Sequence, residues 1–187
     1  METVSDRDRL SRDLSQFDRL IGAWKLGGMG RNLEIERRFL VRKRPTGWKR
    51  KASSEIVQGY FPTSKRELEI RLRRKDSKHF ITVKGGRGRR RLEEEIEISQ
   101  RRFQSLWPLT REARVTKRRY QIPCGENTIE VDVYKGPHRG LVTADVEFNS
   151  LHESRAFQPP KWLGREITGK EQYANRTLAR RKAVPAH

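Results

Sequence analysis

Acidic and basic residues recur two positions apart along this chain. Glu34 and Glu36, Glu95 and Glu97, and Asp145 and Glu147 form acidic pairs, while Arg71 and Arg73, and Lys117 and Arg119, form basic ones. Arg38 extends the first acidic pair, and Lys84 follows Thr82 at the same spacing. This spacing sets both members of a pair on one face of a β-strand. Cations alone would suit a polyanion, and carboxylates alone a metal ion. The two together suit a polyphosphate that carries a divalent metal. Mg²⁺ or Mn²⁺ takes hard oxygen ligands, typically one or two carboxylates with phosphate oxygens and water. Arginine forks and lysine ammonium groups then hold the remaining phosphate oxygens.

The elements that must position these residues are strands. Apolar and charged residues alternate through 33–39, 67–73, 81–84, 92–98, 115–122, 129–133 and 144–148, and 55–61 makes an eighth strand. Turn signals at 62–64, 76–78 and 85–88 join them as antiparallel hairpins. A longer connection, 99–110, carries Phe103, Leu106, Trp107 and Leu109 at helical spacing. Short helices are also expected after Asn149 and near 171–181. An exposed sheet face usually carries Thr, Ser and Gln with scattered charge. Here carboxylates gather on some strands and cations on others. The expected fold is mainly β (α+β): an eight-stranded closed antiparallel β-barrel with a charged interior, covered outside by a few helices.

The 187 residues amount to one domain and include 43 Lys and Arg against 24 Asp and Glu, a net charge of +19. Low hydrophobicity with high charge is the signature of disorder, but the regular alternation opposes it. No apolar run approaches the roughly 18 residues of a membrane span, so no membrane partner is expected. The first ten residues, METVSDRDRL, lead into no apolar stretch, and Cys124 is the one cysteine. A secretory leader and a disulfide are therefore not expected, and a cytoplasmic location is. Residues 1–31 read as an extension. Leu10, Leu14, Phe17, Leu20, Ile21 and Trp24 have helical spacing, and Gly27-Gly28-Met29-Gly30 ends the pattern. The domain proper spans 32–180, and 181–187 reads as a frayed tail. The charge calls for an anionic partner, and its excess allows non-specific binding of acidic polymers on the outside.

The segment Leu33-Glu34-Ile35-Glu36-Arg37-Arg38-Phe39 resembles the N-terminal ExExK strand of the CYTH superfamily, the triphosphate tunnel metalloenzymes. The resemblance continues in order through Gln58-Gly59-Tyr60, Ile70-Arg71-Leu72-Arg73, Phe80-Ile81-Thr82-Val83-Lys84 and Glu95-Ile96-Glu97. Lys117-Arg118-Arg119-Tyr120, Ile129-Glu130-Val131-Asp132, Ala144-Asp145-Val146-Glu147 and Trp162-Leu163-Gly164-Arg165-Glu166 complete it. The family implies a closed eight-stranded barrel that hydrolyses inorganic tripolyphosphate, or a related triphosphate, with Mg²⁺ or Mn²⁺. It implies metal binding at Glu34, Glu36 and Glu147, with Asp145 nearby and Glu95 and Glu97 assisting. It implies phosphate binding at Arg38, Arg71, Arg73, Lys84, Lys117 and Arg119. Arg38, Tyr60 and Lys117 take the catalytic positions, Tyr60 beside the motif's basic residue.

The sequence departs from the family pattern in three places. Arg38 replaces the usual lysine and, being always protonated, cannot act as a base. Asp145 stands where glutamate is commoner, one methylene shorter. Lys170 stands where an acidic residue is commoner, at a position expected outside the tunnel. Gly164–Lys170 fits the first seven places of a Walker A loop, but Glu171 follows where Ser or Thr is needed. It is read as a loop before the last helix. Trp48, Trp107 and Trp162 are expected on the outer surface, and Arg87, Arg89 and Arg90 on a solvated one. The competing readings are a non-catalytic module binding RNA or polyphosphate, and an adenylate cyclase of the same superfamily. The first lacks base-stacking aromatics on its strand faces, and the second lacks a nucleoside motif.

Overall fold

The computed structural model describes residues 35–63, 68–85, 92–181 and 183–185. The helix expected within 1–31, Glu34 and the basic run 87–91 lie outside the described residues. Among the described residues nine strands form one sheet: β1 (Ile35–Val41), β2 (Ser53–Tyr60), β3 (Glu69–Lys75), β4 (Lys78–Gly85), β5 (Leu92–Glu97), β6 (Arg114–Cys124), β7 (Asn127–Tyr134), β8 (Val142–Phe148) and β9 (Leu163–Glu166). The order is β5-β4-β3-β2-β6-β7-β8-β1-β9, and every neighbouring pair is antiparallel.

The expected eight-stranded closed barrel is corrected on both counts. A ninth strand is present, and the sheet is open among the described residues, with β5 and β9 as its edges. The two corrections have one cause. β9 pairs with β1 through Phe39↔Glu166 and Val41↔Leu163 and so occupies the edge of β1 that closure would need. The first half of the Walker-like segment is thus strand, and only its end, with Gly169 at φ +69°, is turn.

The register sorts the side chains as the alternation requires. On one face lie Phe39, Ile129, Val131, Ala144, Val146 and Phe148, a core in which each keeps 6% or less of its exposure. Burying each of the larger ones is worth about 1.5–3 kcal/mol. Trp48, Tyr120, Phe157 and Trp162 pack against that core. Helix α1 (Gln100–Leu106) begins at Ser99, whose hydroxyl accepts the Arg102 N–H at 3.3 Å. The 3₁₀ turn Trp107–Thr110 follows it and lies against Gly59 of β2. A Cβ on Gly59 would stand 2.7 Å from the Trp107 ring and closer still to Thr110, so only glycine allows this approach. Helix α2 (Leu151–Ala156) is capped by Ser150 and receives Arg37, which donates to the Ser154 carbonyl at 3.0 Å.

The last helix is shorter than expected. Ala174 is extended, with ψ 135°, and divides the segment into a 3₁₀ turn, Glu171–Tyr173, and α3 (Asn175–Arg180). Unlike α1 and α2, α3 covers one end of the opposite, charged face. There Tyr60, Val115, Tyr134, Leu141, Ile167, Tyr173 and Leu178 make a second buried cluster. No helix among the described residues is long and apolar enough to cross a membrane.

Candidate active site

The charged face can be followed strand by strand through the register. Glu93, Glu95 and Glu97 of β5 oppose Lys84, Thr82 and Phe80 of β4, and these oppose Glu69, Arg71 and Arg73 of β3. Arg71 and Arg73 oppose Tyr60 and Gln58 of β2. Further along, Lys117 and Arg119 of β6 oppose Tyr134 and Asp132 of β7. Glu130 opposes Asp145 of β8, and Asp145 and Glu147 oppose Arg38 and Glu36 of β1. Every described residue expected at the site therefore lies on this one face.

At the end covered by α3 the network is dry. Lys117 and Asp132 keep 2% and 0% of their side-chain exposure, with Nζ 2.5 Å from Oδ2. The Arg119 fork donates to both oxygens of Asp132, at 2.7 and 2.8 Å, and also reaches Glu130. Burial would raise the Asp132 carboxyl, but Arg119 and Lys117 hold it well below the usual carboxylate range. Burial pulls Lys117 down to about 8, against the opposing pull of Asp132. Asn175 of α3 accepts from the Tyr134 hydroxyl at 2.8 Å and from Lys117 Nζ at 3.4 Å.

Arg38 is forked onto Asp145, with Nε 2.5 Å from Oδ1 and Nη2 3.1 Å from Oδ2. The same Nη2 lies 3.7 Å from Glu36, and Nη1 donates to the Tyr173 carbonyl at 3.5 Å. Burial disfavours the guanidinium charge, but Asp145 and Glu36 outweigh it and hold the pKa above its ordinary value. Arg38 thus stays charged. Both Asp145 oxygens are engaged by Arg38, and Arg119 lies 3.5 Å from one of them. Burial raises Tyr60 above its ordinary value despite the charges of Arg71 and Arg38, so its phenol stays protonated.

On β3–β5 the pairs are shallower. Lys84 Nζ lies 2.6 Å from Glu93, Arg71 lies 3.3 Å from the same carboxylate, and Arg73 donates to Glu95. Thr82 donates to Glu95 at 2.9 Å. Three polar atoms here are buried without a partner among the described residues: Arg71 Nε, Arg73 Nε and Gln58 Oε1. An unfilled buried donor costs about 1–3 kcal/mol, and Arg71 and Arg73 sit side by side on β3.

Metal-binding capacity depends on the donor set. Glu36 and Glu147 are cross-strand partners at the uncovered end and supply hard oxygen donors that fit Mg²⁺ or Mn²⁺. Among the described residues no three such groups converge for a metal, and Glu34, the third expected donor, lies outside them. Glu95 and Glu97 lie on β5, apart from this group in the sheet order, and Glu97 sits 3.7 Å from Lys78. Lys170 is exposed, clear of the face.

The sequence reading selected neither Asp132 nor Glu130, Tyr134, Gln58, Glu93 or Asn175 for the site. The alternation carried the signal for Gln58 and Glu93, which lie two positions from Tyr60 and Glu95, whereas Glu130, Asp132 and Tyr134 lie on β7, where no residue was selected and only the register with β6 and β8 turns them to this face. Asn175 gave none, because only the packing of α3 brings it there.

The unfilled arginine donors, set among carboxylates, are hydrogen-bond donors of the kind a phosphate-type anion accepts. The CYTH domain family matches residues 32–181. An inorganic triphosphatase of Nitrosomonas europaea is 40% identical over 148 residues, covering 78% of this chain and 96% of that one. An inorganic triphosphatase of Acetivibrio thermocellus is 34% identical over 150 residues, covering 79% and 93%. The crystal structure of the inorganic triphosphatase NE1496 has a TM-score of 0.64 at 36% identity, covering 86% of this chain and 100% of that one. The chain belongs to the CYTH family.

Proposed function

We propose that this protein hydrolyses inorganic tripolyphosphate, or a closely related triphosphate, on its charged face, with Mg²⁺ or Mn²⁺ bound there. The observation that carries this reading is the pair of unfilled buried donors on Arg71 and Arg73, facing the same side as the Glu36–Glu147 pair. Its relatives' activity supports the same conclusion.

The residues divide the work. Arg71, Arg73 and Lys84 hold phosphate oxygens, with Arg71 and Arg73 turning their Nε–H groups to the substrate. Arg119 and Arg38 lend charge from behind, through the carboxylates they grip. Glu34, Glu36 and Glu147 would hold the metal, Asp145 positions Arg38, and Glu95 and Glu97 orient water near the β3 arginines. A bound divalent ion would neutralise phosphate charge and lower the pKa of a coordinated water. Water attacks the terminal phosphorus in line, the bridging P–O bond breaks, its electron pair leaves with pyrophosphate, and the proton given up by the water passes to a product phosphate oxygen or to solvent. The cations stabilise the charge that gathers on the transferring and leaving oxygens. Tyr60, held protonated, donates a hydrogen bond and takes no proton. Lys117, which burial pulls below its ordinary value, and Arg38, which Asp145 and Glu36 keep charged, lend positive charge to the face.

The test is phosphate release from tripolyphosphate, ATP, thiamine triphosphate and long-chain polyphosphate, each with Mg²⁺, with Mn²⁺ and with chelator. Metal-dependent turnover, highest on a triphosphate, is expected. Absence of turnover on all four with either metal would overturn the proposal.

A further inference from the structure

A group of cations gathers beyond the end of β1, past Arg38. Where the ends of β1, β8 and β9 meet there is a cavity of about 450 Å³. Arg42 and Arg165 line it, and no carboxylate does. From its mouth the chain continues as the loop 42–51, which carries Arg42, Lys43, Arg44, Lys49, Arg50 and Lys51 and no acidic residue. All six cations are exposed, and none forms an ion pair with a described residue. By contrast, Arg37 lies 2.7 Å from Glu166, and Lys135 lies 2.5 Å from Glu55.

Packing, not charge, holds this loop in place. The Trp48 ring meets Tyr120 edge-on, 4.4 Å between centroids. The Trp162 carbonyl accepts the N–H groups of Arg42 and Lys43 at 3.0 and 3.2 Å. Gly47, at φ +71°, turns the chain into the 3₁₀ turn Trp48–Arg50. Six like charges on a fixed loop repel one another, and a bound polyanion relieves that repulsion. Recognition here runs through phosphates and not through bases. Arg44 stands over the Trp48 ring at 5.2 Å, and the ring's edge contact with Tyr120 occupies it further, so it offers no platform for a base.

We propose that the cavity at Arg42 and Arg165, continued by the loop to Lys51, binds a long inorganic polyphosphate chain on the outside of the protein. The site includes none of the residues assigned to hydrolysis, so the proposal stands whether or not the proposed hydrolysis does. The experiment measures binding of long-chain polyphosphate to the full chain in chelator, at low and at physiological salt. The variants are Arg42→Gln/Arg165→Gln and Lys49→Gln/Arg50→Gln/Lys51→Gln. The control removes three charges, as many as the larger variant, from exposed positions elsewhere, as Arg101→Gln/Arg102→Gln/Arg155→Gln. Each site variant should weaken binding roughly tenfold or more, in line with the loss of two or three phosphate contacts. The control should lose less than about twofold by the same reckoning, and hydrolysis of tripolyphosphate should be the same in all proteins. The loop variant touches no cavity residue and keeps the test valid if the Arg42/Arg165 variant folds poorly. Equal losses in the control, equally tight binding of single-stranded RNA of matched charge, or no binding of polyphosphate would each overturn the proposal.

Discussion

The two halves of the charged face are built from the same residue types and differ in depth. On β6, β7, β8 and β1, the cations are locked: Lys117 and Arg119 share Asp132, and Arg38 is forked onto Asp145. On β3, β4 and β5, the paired carboxylates Glu93 and Glu95 keep 28% and 27% of their side-chain exposure, and two guanidinium groups retain unfilled donors. An ion pair in a dry site stands or falls as a unit, because either partner left alone is a buried charge. A shallow pair is worth little and gives way to a stronger ligand. The deep half therefore fixes the shape and potential of the face, and in the function proposed above the shallow half is where an incoming phosphate exchanges partners.

Breaking the deep half should have the largest effect. Asp132→Ala strands Lys117 and loosens Arg119, and a loss of about 3–5 kcal/mol in urea unfolding is expected. A loss below 1 kcal/mol would mean that water reaches the pair. The pH dependence follows from the same residue. Its folded pKa lies below the ordinary 3.8, so the unfolded chain binds more protons between the two values. The stabilisation is complete above pH about 4 and disappears as pH falls through the folded value. Acid unfolding of Asp132→Asn should lack this dependence, and an unchanged acid limb would contradict the assignment.

Next in size is Arg73→Ala. It removes an unfilled donor and a charge-assisted contact worth about 1.5–3 kcal/mol, so tripolyphosphate binding should weaken roughly ten- to a hundredfold. Thermal stability should barely change. A large drop in stability would place Arg73 in the locked set. Arg38→Lys comes third. Lysine cannot span both Asp145 oxygens, and about 1–2 kcal/mol of stability should go with the lost fork. The loss in turnover should appear in kcat more than in KM, because Arg38 acts through the carboxylates beside it. Increased turnover in this variant would mean that a proton-exchanging ammonium is what the position needs. Glu93→Ala is the smallest change, below about 1 kcal/mol in stability, and serves as the matched shallow control for Asp132→Ala.

Much of this face was legible in the sequence, for one reason. A period of two leaves a residue no choice of face once its strand is known, so Arg71, Arg73, Lys84, Lys117, Arg119 and Asp145 all follow from their neighbours. What alternation does not carry is which strands become edges. Leu163–Glu166 is four residues long, contains Gly164 and follows Pro159-Pro160, so it has no pattern of its own. It becomes a strand because Val41 and Phe39 offer an unpaired edge. Closure failed as an expectation for the same reason. Depth was equally hidden. Asp132 and Glu130 read alike along β7, yet Asp132 lies beneath α3 and is fully buried while Glu130 keeps 22% of its side-chain exposure. That difference comes from the packing of Tyr173 and Leu178, distant in sequence.

The division of labour is tested most directly by Mn²⁺ binding, read from the resonance signal of the free ion. The proteins to compare are the wild type, Glu36→Gln, Glu147→Gln and Glu93→Gln, each checked for intact secondary structure. Glu36 and Glu147 supply metal oxygens in this account, whereas Glu93 only holds Lys84 and Arg71. Binding should therefore be lost in the first two variants and kept in the third. Loss of Mn²⁺ in Glu93→Gln with retention in Glu36→Gln and Glu147→Gln would contradict it.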